Sequence, residues 1–360
     1  MARWCEAGKN HIWLRQDNQA QLCCSCSNQD EHKFLINNFG NNFLDVINSK
    51  HVKEKYKTLE YGPLKDNSCN ICLDTESKFK KSIRQKIKNS TKDGEKFFFK
   101  IDFSNKCNLK CVMCSSGRST NWIKDEQKLK SFYEQYNYSE PEIYKYQSLG
   151  NEWFANIDIN WWENLETLEI SGGEPFYQEE VLDFLEFISQ YNTELKLTII
   201  TNATMLNDEI LNIIKRYKRL AILCSVDAWQ DDVYNYSRYG TGDLSTVKEN
   251  IKILYSYSKF LSIVDTVHPF NYDQKQYALE WIENQNFKEN FSYVQSLVYS
   301  PLHLNNDTVL PLQFWNSGGK DLDLQVKFAR WTLALDKIRK TNVFDIRPEF
   351  ESWFRNMNVC

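Results

Sequence analysis

Cys107-Asn-Leu-Lys-Cys111-Val-Met-Cys114 lies just past the apolar run Phe97-Phe-Phe-Lys-Ile-Asp-Phe103. Read together, these stretches are a strand ending in a loop that carries three thiols, spaced by three residues and then two. Three thiolates on one short loop can hold three irons of a cubane 4Fe-4S cluster, whose fourth iron then has no protein ligand and is open to bind another molecule. A structural zinc site normally closes with four ligands, so the count of three matters as much as the spacing. The triplet alone leaves two plainer readings open: a zinc loop completed from elsewhere, or three unrelated thiols.

A second motif lies further along the chain. Ile170-Ser171-Gly172-Gly173-Glu174-Pro175 follows the apolar run that starts at Leu165. Adjacent glycines after a strand let backbone approach a ligand closely, and the neighbouring Glu supplies an anion for an ammonium group. Alone, this is also an ordinary strand-to-helix turn. In this order with the cysteine triplet, residues 95 to 270 resemble the radical S-adenosylmethionine superfamily.

That resemblance implies a reaction and a set of roles. Cys107, Cys111 and Cys114 would ligate the 4Fe-4S cluster, and Met113 would lie against the adenine of S-adenosyl-L-methionine. Gly172, Gly173 and Glu174 would hold the methionine ammonium. Thr201, Asn202, Ser225 and Asp227 would face the ribose and the carboxylate end, and Arg238 would pair with the carboxylate, a task suited to a guanidinium fork. For Arg238 a surface position is the competing reading, and Thr201 and Asn202 also read as strand terminators. The implied chemistry is reductive cleavage of the cofactor to a 5′-deoxyadenosyl radical that abstracts hydrogen from a substrate. It needs a flavodoxin- or ferredoxin-like electron donor.

The pattern around the motifs gives an α/β fold. Strand-like runs at 97–103, 165–171, 195–201, 220–226, 260–267 and 291–299 alternate with amphipathic stretches at 178–191, 207–218, 244–257 and 273–284. Short, nearly continuous apolar strands separated by helices predict a parallel sheet with helical crossovers. Six units would make a partial (βα)6 TIM-like barrel, which the resemblance also implies. In such folds ligands sit at the carboxyl ends of the strands, where the cysteine loop, Gly172–Glu174, Thr201-Asn202 and Ser225–Asp227 all fall. The aromatic-rich connection 115–164 reads as an enlarged first crossover. The expected organisation is a cysteine-rich module over 1–94, the barrel over 95–300 and a helical extension over 301–360, with an amphipathic helix at 322–341.

The first 94 residues carry six of the eleven cysteines, including Cys5, Cys23, Cys24, Cys69 and Cys72. Four or more soft ligands suffice for a second metal site. The layout resembles the cysteine-rich module of the SPASM/twitch group, which implies an auxiliary iron–sulfur cluster, although that module usually follows the barrel. The preferred ligands are Cys5, Cys23 or Cys24, Cys69 and Cys72, with Cys26 spare; pairing through 23–26 and a zinc knuckle remain open. Cys224 reads as a buried core thiol, and His11 as a surface or packing residue.

Composition narrows the remaining classes. The 44 Lys and Arg are interleaved with 48 Asp and Glu, a net charge of −4, so no concentrated basic patch points to nucleic acid. No apolar run approaches the roughly 18 residues of a membrane span. The start, MARWCEAGKNHIW, lacks a signal-peptide core, and eleven cysteines without an export signal point to a reducing, cytoplasmic setting. The expected substrate is a peptide or protein side chain. The alternatives are a small metabolite, or a metal-binding protein that has kept the fold without catalysis.

Overall fold

The computed structural model describes residues 11–17, 19–21, 33–35, 50, 54, 72, 77, 98–138, 140, 142–150, 153–297 and 322–359. Along the chain run β1 (His11–Leu14), β2 (Gln19–Gln21), β3 (Lys33–Leu35), β4 (Phe98–Asp102), α1 (Ile123–Gln135), α2 (Ile159–Glu163), β5 (Thr167–Ser171), α3 (Glu179–Ser189), β6 (Lys196–Thr201) and α4 (Asp208–Ile214). They continue with β7 (Arg219–Ser225), α5 (Asp231–Ser237), α6 (Leu244–Tyr257), β8 (Phe260–Val267), α7 (Lys275–Glu283), β9 (Phe291–Leu297), α8 (Leu322–Arg339), α9 (Val343–Ile346) and α10 (Glu349–Asn356). The α/β expectation holds, and the six expected strands are β4 to β9.

Contacts divide the chain into two compact units. The first comprises Met1–Ser104, Gln147–Ile200 and Asn207–Ala221, and the second Asn105–Tyr146, Thr201–Leu206 and Ile222–Cys360.

In the first unit, β4 pairs parallel with β5, and β5 with β6. Leu168, Ile170, Leu197 and Ile199 are fully buried, one alternating face of each strand, while Glu169, Thr198 and Ile200 on the other face are half-buried. Helix α3 begins with Glu179 and Glu180, which suit the positive end of its dipole. It buries Val181, Phe184, Leu185 and Ile188, the i, i+3, i+4, i+7 stripe of an amphipathic helix. Phe184 meets Phe103, Trp153 and Trp162 at ring-centroid distances of 5.0, 5.8 and 5.4 Å. The aromatics of the enlarged first crossover therefore serve as core here.

One feature of this unit was not anticipated. β1 lies parallel to β4, with His11 opposite Phe98 and Leu14 opposite Ile101, and antiparallel to β2. His11 is buried, its ring stacked on Phe98 at 4.9 Å, so of its two readings packing is the one observed. A four-residue run inside a cysteine-rich segment is too short to carry a strand signal of its own.

In the second unit, β8 and β9 pair parallel in register from Leu261↔Phe291 to Val267↔Leu297. The Val226 N–H donates to the Val264 carbonyl at 3.0 Å, placing the residues after β7 beside β8. Helix α8 packs on α1 with Phe328, Trp331 and Leu335 buried, facing a core that also holds Leu129, Phe132 and Tyr133. Helix α5 was not expected: seven residues rich in Asp and Tyr show no clear period. Among the described residues no helix is long and apolar enough to cross a membrane.

Candidate functional site

The cysteine loop belongs to the second unit and is fixed almost wholly through its backbone. The Lys110 N–H donates to the Tyr239 carbonyl at 2.7 Å, and the Val112 N–H to the Ser237 carbonyl at 2.8 Å. Asn121 Nδ2 donates to the Cys107 carbonyl at 3.0 Å, and Trp122 Nε1 to the Cys111 carbonyl at 2.8 Å. The Ser119 hydroxyl donates to the Leu109 carbonyl, and Asn105 Nδ2 to the Ser116 carbonyl at 2.8 Å. Leu109 and Gly240 form an isolated bridge. A Cβ at position 240 would meet the Asn108 carbonyl oxygen at 2.7 Å and Leu109 Cα at 2.9 Å, so only glycine lets the strands approach this closely.

Held this way, Cys107, Cys111 and Cys114 are half-buried, and none is in a disulfide among the described residues. Met113 sits between them, also half-buried. Burial pushes the Cys111 thiol up, partly offset by the Arg238 guanidinium. The Cys114 thiol is pushed up to about 12 by burial and by neighbouring Cys111. Both stay neutral until a metal displaces the proton, since a coordinated thiol is deprotonated. Among the described residues no three His, Cys, Asp or Glu side chains are gathered as a single ion would need.

The other expected residues of this unit have defined partners. Asn202 Nδ2 donates to Asn108 Oδ1 at 2.9 Å and lies 4.0 Å from the Cys107 sulfur. Asn108 Nδ2 in turn donates to Thr204 Oγ1 at 2.7 Å. Thr201 Oγ1 accepts from the Ala203 N–H at 3.0 Å, the strand-ending role. Asp227 is fully buried: Oδ1 accepts from the Thr266 N–H at 2.9 Å, and Oδ2 from Arg238 Nε at 2.7 Å. Arg238 is 6% exposed, so it is not a surface arginine. Ser225 ends β7, half-buried.

Gly172, Gly173 and Glu174 lie in the first unit, at the end of β5. Gly172 has φ +85° and Gly173 φ +52°. A Cβ on Gly172 would stand 2.7 Å from Asp102 Cβ and 2.9 Å from Asp102 Cα. The turn is tied down by Gln178 Nε2, which donates to the Gly172 carbonyl at 2.9 Å, and by Ser104 Oγ, which donates to Gln178 Oε1 at 2.8 Å. The Ser171 hydroxyl donates to Asp102. Glu174 is buried, and Oε1 accepts from the Phe176 N–H at 3.1 Å. Of the auxiliary ligands, Cys72 is free and buried; Cys5, Cys23, Cys24 and Cys69 lie outside the described residues.

Sequence reasoning missed Asn108, Trp122, Asp125 and Arg339. Arg339 donates to Asp125 Oδ2 at 3.0 Å and to the Lys110 carbonyl at 2.8 Å, while its guanidinium lies 4.5 Å over the Trp122 ring. Only Asn108 had a local signal, its place beside Cys107.

Comparison with known proteins gives the family. The Radical SAM superfamily profile matches residues 101–282, just over half of the chain, and the chain belongs to that superfamily. The family carries a 4Fe-4S cluster and uses S-adenosylmethionine, and a loop of three thiols outside any disulfide fits the cluster. The chain is 24% identical over 172 residues to the antilisterial bacteriocin subtilosin biosynthesis protein AlbA of Bacillus subtilis, covering 48% of this chain and 33% of AlbA. It is 26% identical over 137 residues to GTP 3',8-cyclase of Campylobacter lari, covering 38% and 36%. These matches span about a third of the curated relatives' length. Streptococcus suis SuiB bound to S-adenosylmethionine is 13% identical with a TM-score of 0.39, over 94% of this chain and 73% of SuiB.

Proposed function

We propose that this chain is a radical enzyme that reductively cleaves S-adenosylmethionine and abstracts hydrogen from a peptide or protein side chain. The observation carrying the reading is the clasped loop: three thiols presented together on a backbone whose carbonyls are already engaged. The bound cluster and cofactor supply a one-electron cleavage that yields a 5′-deoxyadenosyl radical. The chain's part is to fix the thiols before metal arrives and to keep Asp227 and Arg238 paired beside Cys111. The buried Glu174 turn offers an anion to the methionine ammonium, Met113 an apolar face to the adenine, and Ser225, Thr201 and Asn202 polar groups to the ribose side.

Similarity to AlbA, a bacteriocin biosynthesis protein, supports a peptide substrate. The match to GTP 3',8-cyclase supports the alternative of a small metabolite. Within 1–94 we assign an auxiliary iron–sulfur cluster to Cys5, Cys23 or Cys24, Cys69 and Cys72. A flavodoxin- or ferredoxin-like protein supplies the electron in a reducing cytoplasm.

The test is anaerobic reconstitution with iron and sulfide, an iron count, then dithionite and S-adenosylmethionine with an assay for 5′-deoxyadenosine. Turnover with about eight irons per chain, two four-iron clusters, supports both centres; about four with turnover removes the auxiliary one. Cys111→Ala abolishes turnover, and full activity in that variant rejects the assignment.

A further inference from the structure

Helices α1 and α8 of the second unit leave a groove of about 630 Å³ along their joint. The sequence explains its character. Lys128, Phe132 and Tyr136 recur every four residues on one face of α1, and Arg330 and Lys337 share the facing side of α8. Lys340, just past the end of α8, adds a further cation. None of the lining residues is acidic, although the chain as a whole carries −4.

The cations are available. Lys128, Lys337 and Lys340 are exposed, and among the described residues none forms an ion pair. Arg330 lies 4.3 Å over the Tyr136 ring and donates to the Tyr138 hydroxyl at 3.3 Å. The nearby carboxylates Glu134 and Glu140 face Lys130 instead, at 3.9 and 3.8 Å. Field lines from four cations that form no ion pair among the described residues, over an aromatic floor, select an anionic surface.

The groove also adjoins the support of the cysteine loop. Lys128 stands one turn past Asp125, which receives Lys110 Nζ at 2.9 Å and Arg339 Nε at 3.0 Å. Lys340 follows Arg339 directly, and Trp122 beneath Arg339 holds the Cys111 carbonyl. Two of the groove's lysines therefore neighbour in sequence the residues that brace the backbone presenting the thiols.

We propose that this groove docks the acidic face of a one-electron carrier protein. The inference rests on the reductive reading above, because that chemistry consumes one electron per cleavage. The carrier loses one electron and the centre on Cys107, Cys111 and Cys114 gains it; no bond forms or breaks in the transfer. Charge selects an anionic partner, and the sequence adjacency of the groove's lysines to the braces of the cysteine loop favours this occupant over an acidic peptide substrate.

The experiment uses the full chain with flavodoxin as the probe. Binding of oxidised flavodoxin is titrated at low and high salt for the wild type, Lys128→Glu/Lys337→Glu and the neutral Lys128→Gln/Lys337→Gln. Deoxyadenosine formation is then compared with reduced flavodoxin and with dithionite. The charge-reversed variant is expected to bind about tenfold or more weakly and to lose a similar factor in flavodoxin-driven rate, with the dithionite rate unchanged; the neutral variant falls between, and salt narrows the gap. Wild-type binding by either variant overturns the proposal, as does displacement of an acidic peptide from the groove while flavodoxin binding is unchanged. No turnover by the wild type even with dithionite rejects the reductive reading instead, and the titration still reports on docking.

Discussion

Arg238 reaches Asp227 Oδ2 with both Nε and Nη2, at 2.7 and 2.6 Å, and both side chains are buried. An ion pair this deep stabilises little compared with an apolar pair, but breaking it strands a charge. Asp227→Ala is therefore expected to lower stability by roughly 3–5 kcal/mol. Adding Arg238→Met should restore most of that loss. Urea unfolding of the reduced, metal-free protein reads both; a double variant as unstable as the single one removes the charge as the cause.

Asp265 and His268 give stability opposite dependences on pH. Burial, and then the nearby Asp227 charge, push the Asp265 carboxyl from 3.8 up to about 6, against hydrogen bonds from Tyr293 at 2.6 Å and Gln295 at 3.2 Å. The folded state holds the extra proton between about pH 4 and 6, so this group's contribution falls as pH rises through that window. Burial and then Arg238 lower His268 from 6.5 to about 3, so there the unfolded state holds the extra proton and stability rises with pH. The opposing slopes, each up to about 1.4 kcal/mol per pH unit, offset one another. Asp265→Asn should leave a profile that climbs across pH 4–6 and ends about 3 kcal/mol above wild type at pH 7. His268→Gln should bend it the other way, and parallel profiles for all three proteins exclude both assignments.

Gly172→Ala meets two obstacles at once, a positive φ and a Cβ 2.7 Å from Asp102 Cβ. The left-handed conformation alone costs roughly 1–2 kcal/mol for an L-residue, and the contact forces Asp102 and the β4–β5 register apart. S-adenosylmethionine affinity, measured on reconstituted protein, is expected to fall at least about tenfold, the equivalent of some 1.4 kcal/mol. Unchanged affinity would separate this turn from the cofactor.

Asn108→Ala removes the hydrogen bonds that Asn108 accepts from Asn202 and donates to Thr204, beside Cys107. Leaving such buried groups unpaired costs about 1–3 kcal/mol. Iron retained after desalting should drop while the far-ultraviolet dichroism stays constant, whereas full retention would mean the loop needs no side-chain brace.

The strands and the cysteine loop were legible because each is written locally. Short apolar, β-branched runs such as Leu197–Thr201 read as strands, and three thiols within eight residues have few uses. What holds the loop was not legible. Arg339 and Lys110 are 229 residues apart, and nothing near either predicts the other. The basic groove escaped notice for the same reason: its lysines are interleaved with acids in sequence, and only the packing of α1 on α8 sorts them onto one face. β1 was hidden because its four residues become a strand only against β4.

Gly240 and Arg339 also impose an order on biogenesis. When Cys107 is made, the Tyr239 and Ser237 carbonyls that pair with its loop do not yet exist, and the Arg339 contact to Lys110 waits for 229 further residues, about 10–50 s of synthesis. The bonds from Asn105, Ser119, Asn121 and Trp122 form early, but the complete clasp exists only once nearly the whole chain has been made. A chain stalled before α8 would carry the three thiols without the Arg339 brace on Lys110.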